Sequence, residues 1–222
     1  MKLGISLAVS RLGNGGSGSA FSSSATFVTG GFGAFAGSTF IFTPTGHQVD
    51  DWMFVTADGI SSPTITGGSG ATWSTAIQYN VGGSPTYLLY RKLVAGDAGA
   101  TFTVNNGLNS GPCHYTIWRG VASVNLLQSV ITGASVTSIS FSAPVLAPNS
   151  SRLLAIISCH DGSFVDNFSG PVNWMTRNAF NSYGPKYDGD ILSSLNSGGP
   201  TFSQSSTQVK GIVGWLFELV GT

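Results

Sequence analysis

Short runs of alternating apolar and polar residues, bounded by clusters of Gly, Asn, Asp and Pro, recur along most of this chain, and they recur in one order twice. Alternation at period 2 marks a strand with one face against a core. The first set lies at 39–43, 52–56, 72–78, 86–92, 100–104 and 114–119, and the second at 138–142, 152–158, 172–178, 190–194, 200–203 and 211–220. Four stretches match at a separation of about 100 residues. They are Thr39-Phe40-Ile41-Phe42 with Ser138-Ile139-Ser140-Phe141, Asp51-Trp52-Met53-Phe54-Val55 with Arg152-Leu153-Leu154-Ala155-Ile156, Ala71-Thr72-Trp73 with Val172-Asn173-Trp174, and Ala100-Thr101-Phe102 with Pro200-Thr201-Phe202. The closing strands then align Ile117-Trp118-Arg119 with Leu216-Phe217-Glu218. Coincidences in one order predict an internal duplication, with half-repeats at approximately 37–121 and 136–222.

Helical periodicity is absent over any useful length, so the expected class is all-β, a β-sandwich. The halves read either as paired immunoglobulin-like units or as one merged, jelly-roll-like sandwich. The join at 120–137 carries Val121, Val124, Leu126, Leu127, Val130 and Ile131, too apolar for a solvated linker, and predicts a single compact body over 25–222.

Composition narrows the function. Only 8% of residues are charged, against a usual value of about 25%. Nine basic residues balance nine acidic ones, which leaves no long-range field to gather nucleic acid or an anionic membrane surface. Neither is expected as a partner. No apolar run approaches the ~20 residues of a membrane-crossing helix.

The first 24 residues read differently from the body. Residues 11–24 are rich in Gly and Ser, a composition that buries little apolar surface. Before them Leu3, Ile5, Leu7 and Val9 alternate with small residues, and Arg11 follows. The apolar stretch is short for the core of a secretory leader, so none is expected. Residues 1–24 are predicted to be an extended anchoring arm that adds a strand to a neighbouring subunit.

Residues capable of chemistry are few. Two Cys-His dipeptides, Cys113-His114 and Cys159-His160, have the right elements for a Cys2His2 zinc site, but neighbours on a strand point to opposite faces, so no metal is expected. Cys113 and Cys159 are expected as buried free thiols, with a disulfide between them as the alternative. No Gly-x-Ser-x-Gly elbow occurs, and Asp58-Gly59, Asp161-Gly162 and Asp188-Gly189 read as turns rather than as a glycosidase pair. Loop oxygens at His160-Asp161-Gly162 and Asp166-Asn167 do not fit an EF-hand calcium loop. No catalytic residue and no cofactor is expected. The tryptophans, with Trp73 and Trp174 equivalent by repeat, are expected in the core. Tyr79, Tyr87, Tyr90, Tyr183 and Tyr187 border loops, where an exposed ring can stack on a sugar. Arg119 and Glu218, at matching positions of the closing strands, are candidates for an ion pair between the halves, with solvent-facing charges as the alternative.

One succession carries a resemblance. Asp51-Trp52-Met53-Phe54-Val55-Thr56, the strand at Thr72-Trp73-Ser74, the run Tyr87-Leu88-Leu89-Tyr90-Arg91-Lys92-Leu93-Val94-Ala95-Gly96-Asp97, then Ala100-Thr101-Phe102-Thr103-Val104 and Tyr115-Thr116-Ile117-Trp118-Arg119-Gly120-Val121 follow one another. This resembles structural proteins of tailed-bacteriophage and prophage virions, in which a Tyr-Arg-Gly-Val-like strand closes the first half; here Trp118 stands in the place of the Tyr. The opening Leu3-Gly4-Ile5-Ser6-Leu7 also looks like the short arms of such proteins. The resemblance implies a non-enzymatic virion component, assembled in the bacterial cytoplasm among copies of itself and other virion proteins. A head, tail or fibre position is left open. Its alternatives are a carbohydrate- or receptor-binding module that meets a host-surface glycan, and, less favoured, a glycan hydrolase.

Overall fold

The computed structural model of the chain describes residues 25–59, 62–79, 85–107, 111–159, 168–180, 186–196, 198–208 and 211–222. The predicted arm, with Leu3, Ile5, Leu7, Val9 and Arg11, lies outside the described residues. Strands follow one another as β1 (Thr26–Ala34), β2 (Thr39–Phe42), β3 (Trp52–Asp58), β4 (Thr64–Gly67), β5 (Ser74–Tyr79), β6 (Pro85–Lys92), β7 (Phe102–Asn105) and β8 (Pro112–Arg119). After Gly120 come β9 (Val121–Ile131), β10 (Val136–Ser140), β11 (Ser150–Ser158), β12 (Met175–Phe180), β13 (Lys186–Leu192), a 3-10 turn at Ser193–Leu195, β14 (Thr201–Gln208) and β15 (Val213–Gly221). The fold is all-β.

The duplication is written in the strand order. The first half makes a large antiparallel sheet, β1-β8-β3-β6-β5, and a small one, β2-β7-β4. Read from its far edge, the second half repeats this as β9-β15-β11-β13-β12, with β10-β14 for the small sheet. An isolated bridge between Ser169 and Ser203 stands where β4 meets β7. In the first half β1 pairs with β8, β2 with β7 and β3 with β6, and in the second β9 pairs with β15, β10 with β14 and β11 with β13, in both cases the inward-nested wrapping of a jelly roll.

Alternation along the central strands explains how the halves join. On β3, Met53, Val55 and Ala57 pack toward the small sheet, with Phe102, Tyr115 and Ile117, while Phe54 faces the other way. On β11, Leu153, Ala155 and Ile157 pack with Phe202 and Leu216, while Leu154 and Ile156 face away. The outward set of each half meets the other. Phe54, Leu88 and Trp118 pack against Leu154, Ile156, Trp215 and Phe217, with the Phe54 and Phe217 rings edge to face at 5.1 Å. The body is therefore four sheets deep, small, large, large, small, with three cores. β1 lies against β12 and β5 against β9, the same contact seen from either half, which makes the relation a pseudo-twofold.

Three expectations need correction. The join is not a connection: residues 121–131 form β9, the edge strand of the second large sheet, and Gly120, at φ 70°, alone links it to β8. A left-handed residue there turns the chain from one large sheet into the other. The glycine-rich stretch that begins at Gly30, a composition that predicts turns, is instead part of β1. Side chains lie directly on that strand, where a Cβ at Gly31 would come within 2.8 Å of Tyr115 and one at Gly33 within 2.5 Å of Phe40. The match of Asp51 with Arg152 is one residue out of step. Pairing sets Met53 opposite Arg91 and Leu153 opposite Ile191, so Trp52 is the counterpart of Arg152; a one-residue slip would have turned every side chain to the wrong face.

Candidate functional site

Five ionisable side chains, His114, Arg152, Arg177, Asp188 and Asp190, collect where the two large sheets meet. β8 carries His114 onto that face because Cys113 and Tyr115, its neighbours, face the small sheet. β13 carries Asp188 and Asp190 onto it for the same reason, with Tyr187 and Ile191 turned to the second half's own core. His114 Nε2 donates to Asp188 Oδ1 at 2.7 Å across the boundary between the halves. On its other side the ring touches the Thr56 hydroxyl through Nδ1. Asn178 completes the carboxylate's shell, donating to Asp188 Oδ2 at 2.8 Å and reaching the Tyr115 carbonyl at 3.3 Å.

A second carboxylate lies one turn of the pleat away. Asp190 takes an ion pair from Arg152 and another from Arg177. Arg152 also donates to the Ala25 carbonyl at 2.6 Å, which ties the start of β1 to the second half. Arg177 sits at a register shift between Thr176 and Asn178, an inserted residue that a β-bulge aims inward. Its guanidinium lies over Phe27 and Trp118 of the first half, 5.2 and 5.8 Å from the ring centroids.

The pseudo-twofold gives each member a counterpart, and the counterparts are apolar. Register pairs Thr56 with Ile156, His114 with Trp215, Asp188 with Leu88, Asp190 with Tyr90, and Asn178 with Ala76. One end of the interface is thus a polar network and the other end its hydrophobic mirror image.

Thr56, His114 and Asp188 are a hydroxyl, an imidazole and a carboxylate in line, the elements of an activated nucleophile. They are sealed, however, with exposures of 1%, 1% and 0%. The arrangement holds two sheets together and offers a substrate no approach through the described residues.

Other expected residues fall elsewhere. Arg119 and Glu218 do not pair. Trp118 and Phe217 both face the junction of the halves, so by alternation the two charges point away from it in opposite directions. Arg119 grips Asp51 with two hydrogen bonds, 2.9 and 2.8 Å, and donates to the Gly46 carbonyl at 2.7 Å. Those bonds to Asp51 raise the Arg119 pKa further. Glu218 is buried in its own half, accepting from Ala147 N at 2.6 Å and Asn125 Nδ2 at 2.8 Å. Asp188-Gly189 is not a turn but the middle of β13, with the Tyr187 ring lying over Gly189. Burial, with the charges of Asp188 and Asp190 beside it, holds the Tyr187 pKa above 10.0.

Cys113 and Cys159 are buried free thiols. His160, Asp161, Asp166 and Asn167 lie outside the described residues, as do Tyr183 and the side chain of Tyr79. Tyr87 and Tyr187 are buried and Tyr90 packs against Phe217, so none of these three rings is free to stack on a sugar. No group of three or more His, Cys, Asp or Glu side chains that could hold a metal occurs among the described residues, and no helix there is long and apolar enough to cross a membrane. No family model, curated protein or solved structure matches the chain.

Proposed function

We propose that this chain is a non-enzymatic structural protein of a bacteriophage virion, which packs among copies of itself and other virion proteins. The reading begins in the resemblance of the strand succession from Asp51 to Val121. The observation that supports it best is where the charges go. Of the nine acidic residues, Asp161 and Asp166 lie outside the described set; of the other seven, Asp51, Asp58, Asp97, Asp188, Asp190 and Glu218 are buried and Asp50 alone is exposed. The described carboxylates are thus held almost entirely in internal contacts, and the outer surface that the described residues form carries little negative charge. A free monomer gains solubility from surface charge, whereas surfaces that become buried between subunits are depleted in Lys, Glu and Asp. A glycan hydrolase needs two accessible carboxylates about a cleft. Asp188 and Asp190 are sealed, and Asp51 is held by Arg119.

Mass spectrometry of gradient-purified particles tests the reading. The chain is expected at the copy number of a structural protein, and removal of residues 1–24 is expected to leave a soluble body that no longer incorporates. Absence from particles in a culture that makes the protein would overturn it.

A further inference from the structure

Trp73 and Trp174 occupy matching places in the two halves, each edge to face with the phenylalanine of the small sheet. Trp73 meets Phe102 at 6.4 Å and 85°, and Trp174 meets Phe202 at 5.0 Å and 86°. What lies above them differs. In the first half the strand position opposite Met53 is Arg91, whose guanidinium covers the Trp73 ring at 4.7 Å. It is clamped there by Asp97 at 2.7 Å and by the Ala71 carbonyl at 2.8 Å. In the second half the same position, opposite Leu153, is Ile191. The plug is gone, and a cleft of about 430 Å³ opens between the turn at Pro171–Trp174 and the residues Leu195, Asn196, Gly198, Gly199 and Pro200.

The lining has a definite chemistry. None of its residues is ionisable: Ile191, Leu195, Val172 and the Trp174 ring supply apolar surface, and Asn173 and Asn196 supply amides. Neither side-chain amide has a hydrogen-bond partner among the described residues. The turn is held by Trp174 N donating to the Pro171 carbonyl at 3.1 Å, with Asn173 at φ 74° in the left-handed region that Asn tolerates. It leaves Val172 86% exposed at the rim. An uncharged cleft with an aromatic wall and free amides suits a ligand that has a C–H face and a rim of hydroxyls. We infer that the Trp174 cleft is a binding site for a neutral sugar, present in the second half because loss of the arginine plug opened it. The inference does not depend on a place in a particle.

The full chain, probed on an array of neutral and acidic oligosaccharides and then titrated by calorimetry with the strongest neutral binder, tests this. Trp174→Ala removes the wall. Gly198→Arg fills the space, and Gly198 suits the change because a Cβ there meets nothing within 4 Å and its backbone is not left-handed. Saturable binding to a neutral oligosaccharide, weakened at least about tenfold by Gly198→Arg in a protein of unchanged melting temperature, is the expected result. Should Trp174→Ala unfold the protein, the Gly198 variant alone decides. Binding to acidic sugars only, no binding at millimolar neutral sugar, or binding that survives Gly198→Arg would overturn the assignment.

Discussion

His114 of the first half and Asp188 of the second meet through one 2.7 Å hydrogen bond, and the two residues that the pseudo-twofold puts in their places, Trp215 and Leu88, are both hydrophobic. A pair that is fully buried contributes through what its loss would strand. Asp188→Leu leaves His114 Nε2 without its acceptor and the Asn178 amide with the Tyr115 carbonyl alone, and is expected to cost about 3–5 kcal/mol in urea unfolding. Adding His114→Leu, which makes this end resemble its mirror image, should recover much of that loss. A double-mutant cycle reads the coupling directly.

Separation of the halves follows from the same interface. A fragment of residues 25–119 exposes Phe54, Leu88 and Trp118, and one of residues 121–222 exposes Leu154, Ile156, Trp215 and Phe217. Each alone is expected to bind a hydrophobic dye and to aggregate. Mixing the two during refolding should restore the native near-ultraviolet dichroism and abolish the dye signal.

Arg119 and Glu218 are expected to be energetically independent. Arg119 is 40% exposed, so Arg119→Ala should cost about 1 kcal/mol or less. Glu218→Ala strands two donors, Ala147 N and Asn125 Nδ2, and should cost about 1–3 kcal/mol. The double mutant should show the sum of the two effects.

Acid should loosen the first half at Asp97. Burial pushes this carboxyl's pKa up, but the Ser69 and Val94 N–H groups and the Arg91 charge outweigh it and hold the pKa below its ordinary 3.8. A carboxyl depressed on folding adds stability that is present above the unfolded pKa and lost as pH falls through the lower folded value. Unfolding free energy measured from pH 5 downward should therefore drop below about pH 4, and Asp97→Asn should flatten that part of the slope while lowering stability at neutral pH.

Much of the fold is legible in the amino-acid order because strands with one face in a core repeat at period 2, and two such series in one order betray a duplication. The repeat-equivalent Trp73 and Trp174 are found that way, though instead of lying within a core each is half-buried at its margin, against the phenylalanine of its small sheet. β1 escapes notice since its glycines, placed for close approach of Tyr115 and Phe40, look like loop. β9 escapes because an edge strand beside a turn reads as an apolar connection. The polar network is hidden for a different reason. Asp188-Gly189 has the composition of a turn, and only the Tyr187 ring over Gly189 and the partner His114, 74 positions earlier, make it a buried strand. The cleft at Trp174 had one visible sign, an isoleucine at 191 where the other repeat has an arginine.

The division of the interface into a polar end and an apolar mirror end bears on how the gene itself can change. Tandem repeats in a gene invite recombination that copies one onto the other. Were the first half overwritten by the second, Asp188 would face a tryptophan in place of His114; were the second overwritten by the first, His114 would face a leucine in place of Asp188. Either exchange strands a buried polar group, and so each half has become the guardian of the other's divergence.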